Sequence, residues 1–532
     1  MRFRLLRIPE VLLFGFTLAL RLFVVWRLHT SPYGAPETGD MKFYSDWGLR
    51  IAQGQLFEPH AFYGEPLYAY LLGGIFAAIG FHPALIGVVQ SLLDALTAVL
   101  IFRLALLVFT RTPARAPIIG LAAALGWAFF VPASAYCGLM ISVPWIVAGW
   151  WFCIWWLLQR SENARSLEWL LISILVGLMA MMSAIVLFLI PLFLVQAFVR
   201  RSPVVAVAIM AGVIAGAGPC WAHNFVVARD PVFLSAHGGI NLWIGNNPEA
   251  NGYPKVPHGL PSEQAHLLDE SIAQAEAAAG HPLPRSAVSA FWSAKAHQYV
   301  GTHFWSWLGL LGVKAKNFWN NFEYDDLSSI TALRDAGIVP PGLHYGLLAV
   351  FGLPGCLLAL RVPRARWIIA AVVLQMIALL PVFVNERYRL IAAPGLLLLA
   401  SYFVTEFWDA IVSQHWLRMT MELVLVGSAA SFVTLPPPER ALWSLNDYKT
   451  ARRQIVAGDY SRAEYRLHRA FEGVLSPAQM APAIANTFAE SARERLEAGD
   501  HATALRAVEE ALHVLPNDEN LRALREQIAR NR

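Results

Sequence analysis

One carboxylate stands where chemistry could be done at a membrane surface. Asp40 lies in the stretch Glu37-Thr38-Gly39-Asp40-Met41-Lys42-Phe43-Tyr44, a few residues past the first long apolar run, in largely apolar and aromatic surroundings. The next such run does not begin until about residue 84. A carboxylate held there, at the mouth of a bundle of spans, is a candidate catalytic base that could take a proton from an attacking group. The same residue could instead cap a helix or sit as a solvated loop acid.

The elements that must position Asp40 follow from composition. The chain has 532 residues with 57% hydrophobic and only 15% charged residues, against ~25% charged in soluble domains, and its mean hydropathy is +0.48. Several apolar runs reach the ~18–20 residues needed to cross a bilayer, which predicts an all-α polytopic membrane protein. A net charge of +4 is too small to argue for nucleic acid, and much of the arginine lies in short loops between runs, where it signals orientation. Cys137, Cys153, Cys220 and Cys356 are scattered and offer neither a disulfide framework nor metal spacing. The N-terminal Arg2, Arg4 and Arg7 precede an apolar run that contains Arg21 and ends at Trp26 with no small-residue cleavage site, so it is read as a retained span.

With the N-terminal arginines inside, about eleven spans are predicted at 10–28, 84–109, 118–134, 142–158, 167–182, 184–199, 203–222, 344–360, 367–384, 390–408 and 417–435. Basic clusters at Arg111 and Arg115, Arg160 and Arg165, Arg200 and Arg201, and Arg361, Arg364 and Arg366 then all fall inside. Reading 167–199 as one broken span would invert every later side. Residues 29–83 form a first outer loop, in which 66–80 is apolar but short and fits a juxtamembrane helix. Residues 223–343 form a large second outer loop, making 1–435 a transmembrane domain.

After Pro436-Pro437-Pro438 the composition turns charged and alanine-rich. Gly458-Asp459 is followed by Ala463 and Ala470, and Gly499-Asp500 by Ala504 and Ala511, with Pro516 closing the unit. These offsets match the turn, small packing residues and final proline of a tetratricopeptide repeat, although the two glycines are 41 residues apart. Residues 436–532 are therefore expected to form a small helical repeat domain, either a cap or a docking surface for a protein partner.

Three motifs carry a family resemblance. In the first outer loop Asp40 is followed by Tyr44, a helical patch with Ala52 and Gly54, and then Tyr63, Glu65, Pro66, Leu67 and Tyr68. Gly239-Ile240-Asn241-Leu242-Trp243-Ile244-Gly245-Asn246-Asn247, followed by Gly252, comes after the seventh predicted span. Glu386-Arg387-Tyr388-Arg389-Leu390 with Pro394 leads into a late one. In this order, over about residues 1–410, the pattern resembles the GT-C superfamily. It is most similar to family 39 of glycosyltransferases that use polyprenyl-phosphate sugars, which includes protein O-mannosyltransferases and the aminoarabinose transferase acting on lipid A. Met41 departs from it, because many members carry a second acid directly after the first; here the nearest carboxylates are Glu37 and Asp46.

The resemblance implies a GT-C type bundle and inverting transfer of a sugar from an isoprenoid phosphate to a hydroxyl acceptor (protein, lipid or glycan) on the outer face of a bacterial inner membrane. It implies no nucleotide sugar and allows a divalent cation. Asp40 would be the base. The leaving lipid phosphate needs cationic stabilisation, for which Arg387 and Arg389 are candidates, with Lys314 and Lys316 of the segment FWSWLGLLGVKAKNFW next. Tyr44, Tyr63, Glu65, Tyr68, Asn246, Asn247 and Tyr388 are candidate substrate contacts.

Each has a plainer use. The arginines could anchor a span end, the lysines could snorkel, the tyrosines could pack, and the asparagines could make a turn before Pro248. His60, His82, His223, His237 and His258 show no metal spacing and are read as structural or interfacial, and Glu323, Asp325 and Asp326 as a solvated loop. No P-loop, dinucleotide fingerprint or HExxH is present. The competing functions are an O-antigen ligase or polymerase-like enzyme, which would not need an acid after the first span, and a transporter or non-catalytic scaffold presenting the repeats. A transporter would show internal symmetry with broken midplane helices, which the sequence lacks.

Overall fold

A helix satisfies its own backbone polar groups, which a hydrocarbon layer demands, and all eleven predicted spans fall on helices of the computed structural model. It describes residues 8–36, 39–110, 114–261, 264–324, 329–436 and 441–530. Arg2, Arg4, Arg7, Glu37, Arg111, Asp325, Asp326, Pro437 and Pro438 therefore lie outside the described residues. Among those residues the chain is all-α, apart from one backbone bridge between Phe130 and Leu343.

Among the described residues five helices are long and apolar enough to cross a membrane: Ile8–His29, Pro83–Val108, Pro203–Val227, Glu386–Val412 and Trp416–Val433. Val143–Arg160 is 18 residues long and rich in tryptophan. The other predicted spans lie on shorter apolar helices: Ala116–Ala128, Ser166–Ala180, Ala184–Val199, Tyr345–Ala359 and Ala365–Leu379. The span predicted at 118–134 is thus shorter than expected. Its helix stops at Ala128, and a second helix, Val131–Gly138, starts with Pro132 in its first turn, where the missing N–H costs nothing. The 167–199 region is two helices, Ser166–Ala180 and Ala184–Val199. Helices this short measure about 22 Å, less than the ~30 Å hydrocarbon core.

The chain divides into two compact units. The first comprises Met1–Trp26, Pro36–Tyr324 and Pro341–Leu435. Within it, small residues let spans approach closely: a Cβ on Gly177 would lie 2.3 Å from Val213 O, and one on Gly216 would lie 2.2 Å from Ile174 O. Arg21, the charge in the first span, is fully buried and pairs with Asp94 of the second at 2.6 Å. Its remaining donors reach Ala128 O, Trp127 O and Ser134 Oγ at 2.7–2.8 Å. It therefore ties two spans to the break between the 116–128 and 131–138 helices.

The second unit comprises Arg27–Ala35, Asp325–Pro340 and Pro436–Arg532. Its helices Ala441–Val456 and Tyr460–Phe471 pair across Gly458-Asp459, and Pro477–Glu497 and His501–Val514 across Gly499-Asp500; Glu519–Arg530 follows. Gly458 and Gly499 have φ of +74° and +78°, a left-handed turn that glycine adopts without strain. Ala463, Ala470, Ala504 and Ala511 are buried between the paired helices. Arg466 holds both Asp447 and Asp335 in this unit.

Candidate functional site

Gly39, at φ +60°, opens the helix Gly39–Ala52, with Asp40 in its first turn. There the backbone N–H groups favour a carboxylate. Asp40, Met41, Tyr44, Ser45, Trp47, Gly48 and Ile51 form the buried face, which packs on the helix Pro66–Ile79 where Gly48 and Gly73 meet Leu72 and Ile51. Asp40 is consequently 8% exposed, not a loop acid in bulk water. Its Oδ2 accepts a hydrogen bond from Arg387 Nη1, and the two form a part-buried ion pair. The Arg387 guanidinium also lies 5.1 Å from the centre of the Tyr388 ring.

A second pair adjoins the first. Tyr44 Oη donates to Glu65 Oε2 at 3.1 Å, and Glu65 Oε1 lies 3.4 Å from His237 Nε2. His237 Nδ1 is 2.6 Å from Tyr63 O. The 236–237 backbone is bonded to Phe62 O and Tyr63 O, which seats the histidine against the first outer loop. Burial opposes charge on both partners, but each outweighs it for the other. Glu65, together with the Tyr63 carbonyl, brings His237 up to about 9. His237, with help from Tyr44, holds Glu65 below the usual carboxylate range. Burial and the Glu65 and Asp40 carboxylates push the Tyr44 hydroxyl well up, keeping it a donor. His237 was expected to be structural; only the fold brings it to Glu65, and no local spacing could have signalled the pair.

Other candidates are placed differently. Arg389 is 1% exposed and donates to Glu386 Oε2 (2.6 Å), Asn320 O (2.7 Å), Phe322 O (3.0 Å) and Asn317 O (3.3 Å), with its guanidinium 4.0 Å from the Tyr345 ring centre. Its donors are committed to Glu386 and to carbonyls at and just past the end of the helix Phe304–Trp319, which it caps. Lys314 is fully buried and donates to Asn246 Oδ1 (3.0 Å) and Leu380 O (2.9 Å); Lys316 is half-buried on the same helix. Asn246 also binds Leu242 O and Pro381 O. Asn247 binds Trp243 O and Ile244 O and accepts from Glu249 N. Both close the helix Gly238–Gly245. Tyr68, 1% exposed, donates to Gln90 Oε1, and Gln90 Nε2 reaches Cys137 O and Leu139 O, so this tyrosine braces helices. Tyr388 is half-buried, stacked on Phe383. Glu323, expected to be solvated, accepts from Tyr345 N and lies near His344.

Tyr63 packs edge-on to Phe43 and His237. It also lines a small pocket with Arg285, Ser271, Ser289, Trp292 and apolar neighbours. Among the described residues no group of three or more His, Cys, Asp or Glu side chains converges as a metal site.

No family model and no curated protein matches the sequence. Solved structures do. One is the archaeal oligosaccharyltransferase AglB from Archaeoglobus fulgidus in complex with an inhibitory peptide and a dolichol-phosphate: 15% identity, 86% of this chain, 59% of that chain, TM-score 0.40. A second is the oligosaccharyltransferase of the same organism tethered with an acceptor peptide: 15%, 84%, 58%, TM-score 0.37. A third is its apo form: 15%, 85%, 59%, TM-score 0.36. The chain spans about 59% of the length of the first of these.

Proposed function

We propose that this multi-pass membrane protein is a GT-C type inverting glycosyltransferase that moves a sugar from a polyprenyl-phosphate carrier to a hydroxyl acceptor. Its site would lie on the outer face of a bacterial inner membrane. The observation that carries the reading is the Asp40–Arg387 pair, which joins two motifs of the family resemblance across the fold.

The chemistry follows from the two side chains. The donor phosphate competes with Asp40 for the Arg387 guanidinium, which can bind two phosphate oxygens. As the guanidinium moves to the phosphate, the Asp40 carboxylate is released to the acceptor hydroxyl. The acceptor oxygen attacks the anomeric carbon from the face opposite the phosphate, and the C1–O bond to phosphate breaks with inversion. The hydroxyl proton passes to Asp40, and the lipid phosphate leaves as an anion held by Arg387. Tyr44, held as a donor by Glu65 and His237, sets the wall beside Asp40. No step is routed through a metal ion. Residues 436–532 serve as a tetratricopeptide-repeat-like module, with a protein partner as its expected ligand.

The test is transfer from a radiolabelled polyprenyl-phosphate sugar by reconstituted full-length protein. Asp40→Asn is expected to abolish turnover while the protein remains folded. Full turnover by that variant would remove Asp40 as the base.

A further inference from the structure

Arg387 can act only if the turn before it is held, and that turn is fixed almost residue by residue. Leu380 O accepts from Lys314 Nζ at 2.9 Å and Pro381 O accepts from Asn246 Nδ2 at 2.6 Å. Gly245 lies flat on Val382, where a Cβ would come within 2.1 Å of the carbonyl oxygen. Val384 N donates to Gly252 O, and Glu386 N donates to Tyr324 O. Asn385 then caps the short helix Glu386–Arg389 by accepting from Tyr388 N.

We propose that Lys314 and Asn246 are positioning residues for Arg387: they lock the 380–386 turn so that its guanidinium meets Asp40 and, in turn, the donor phosphate. The last clause rests on the function proposed above; the locking itself does not. A fully buried lysine with no carboxylate among its hydrogen-bond partners is an expensive way to fill space. An apolar side chain of equal length would pack there at lower cost, but it would leave Leu380 O and Asn246 Oδ1 without this donor. Burial pushes the Lys314 ammonium down to about 7, and even the neutral amine keeps two N–H groups for its two acceptors. Trp307 Nε1 donates to the same Asn246 oxygen at 3.0 Å, which fixes the amide orientation that presents Nδ2 to Pro381 O. Drift in this turn is transmitted directly to Arg387 and loosens its grip on the donor phosphate.

The experiment reads Arg387 itself. Full-length protein in nanodiscs is treated with phenylglyoxal, and modification of Arg387 is followed by mass spectrometry in wild type, Lys314→Met and Trp307→Phe, alongside donor KM and kcat. Reactivity at Arg387 is expected to rise roughly tenfold in Lys314→Met, the size of effect expected when buried hydrogen bonds to one turn are lost, and by less in Trp307→Phe. Donor KM should rise with kcat nearly unchanged. Unchanged Arg387 reactivity in a folded Lys314→Met protein overturns the proposal. If Lys314→Met does not fold, unchanged reactivity in Trp307→Phe decides against it. Raised reactivity in a protein that transfers no sugar, even as wild type, would uphold the locking and sink the enzyme reading alone.

Discussion

Two carboxylate–guanidinium pairs in this protein invite comparison. Arg21–Asp94 sits within the spans, with side chains 0% and 4% exposed, and Arg21 reaches three further oxygens beyond its carboxylate. Arg387–Asp40 is less enclosed, with side chains 17% and 11% exposed, over a tyrosine ring. The first pair is closed: nothing could enter without breaking a complete set of hydrogen bonds. The second is more exposed, and the proposed function has the donor phosphate exchange for its carboxylate. The same chemical pair is fully enclosed in one place and partly exposed in the other, and only the second is exposed enough to serve the exchange proposed above.

Breaking each pair should therefore give different phenotypes. The largest expected effect is Arg21→Met. It leaves a buried carboxylate uncompensated and should cost about 3–5 kcal/mol, read as a collapse of the thermal unfolding temperature or of folded yield in detergent. Arg21→Met with Asp94→Leu should recover much of that loss. In the other pair, Asp40→Asn should leave stability near wild type and cut turnover by ~10²–10⁴-fold, the usual worth of a general base. Comparable stability losses in both variants would erase the distinction. Arg387→Gln should lower kcat/KM for the donor by ~10–100-fold, the value of hydrogen bonds to a charged group, with the loss concentrated in donor affinity.

The smallest effect is a pH slope. The folded pKa of His237 is raised from 6.5 to about 9, so the stability it contributes is fully present below 6.5 and is lost as pH rises through about 9. Glu65 is shifted the other way, from a starting value of 4.5, so its contribution is present above that value and is lost as pH falls through its folded pKa. Unfolding followed from pH 6 to pH 10 should show wild type losing stability toward the alkaline end. His237→Gln should flatten that slope.

The helical architecture was legible because its signals are local: long apolar runs. The roles of the cations were not. Arg387 and Arg389 are two residues apart on one helical turn, so they must point in different directions, but which one faces the site depends on where the 304–319 helix ends. Lys314 looked like a headgroup ligand because its segment is aromatic, yet the helix turns that lysine inward onto a carbonyl. The Glu65–His237 pair joins two outer loops and has no sequence period to announce it. The boundary near 436 was visible as a change of composition. Nothing in the composition of 27–35 or 325–340 announced that they pack with the residues after it.

That three-part make-up of the second unit bears on synthesis. Asp335 is a part-buried carboxylate whose guanidinium partner, Arg466, lies 131 residues later in the chain, and Tyr33 is buried in the same unit. During translation both early segments leave the ribosome long before the helices that receive them. The second unit can therefore close only after the last hundred or so residues have been made, and a chain stopped after Leu435 would display two orphaned segments to proteases and chaperones.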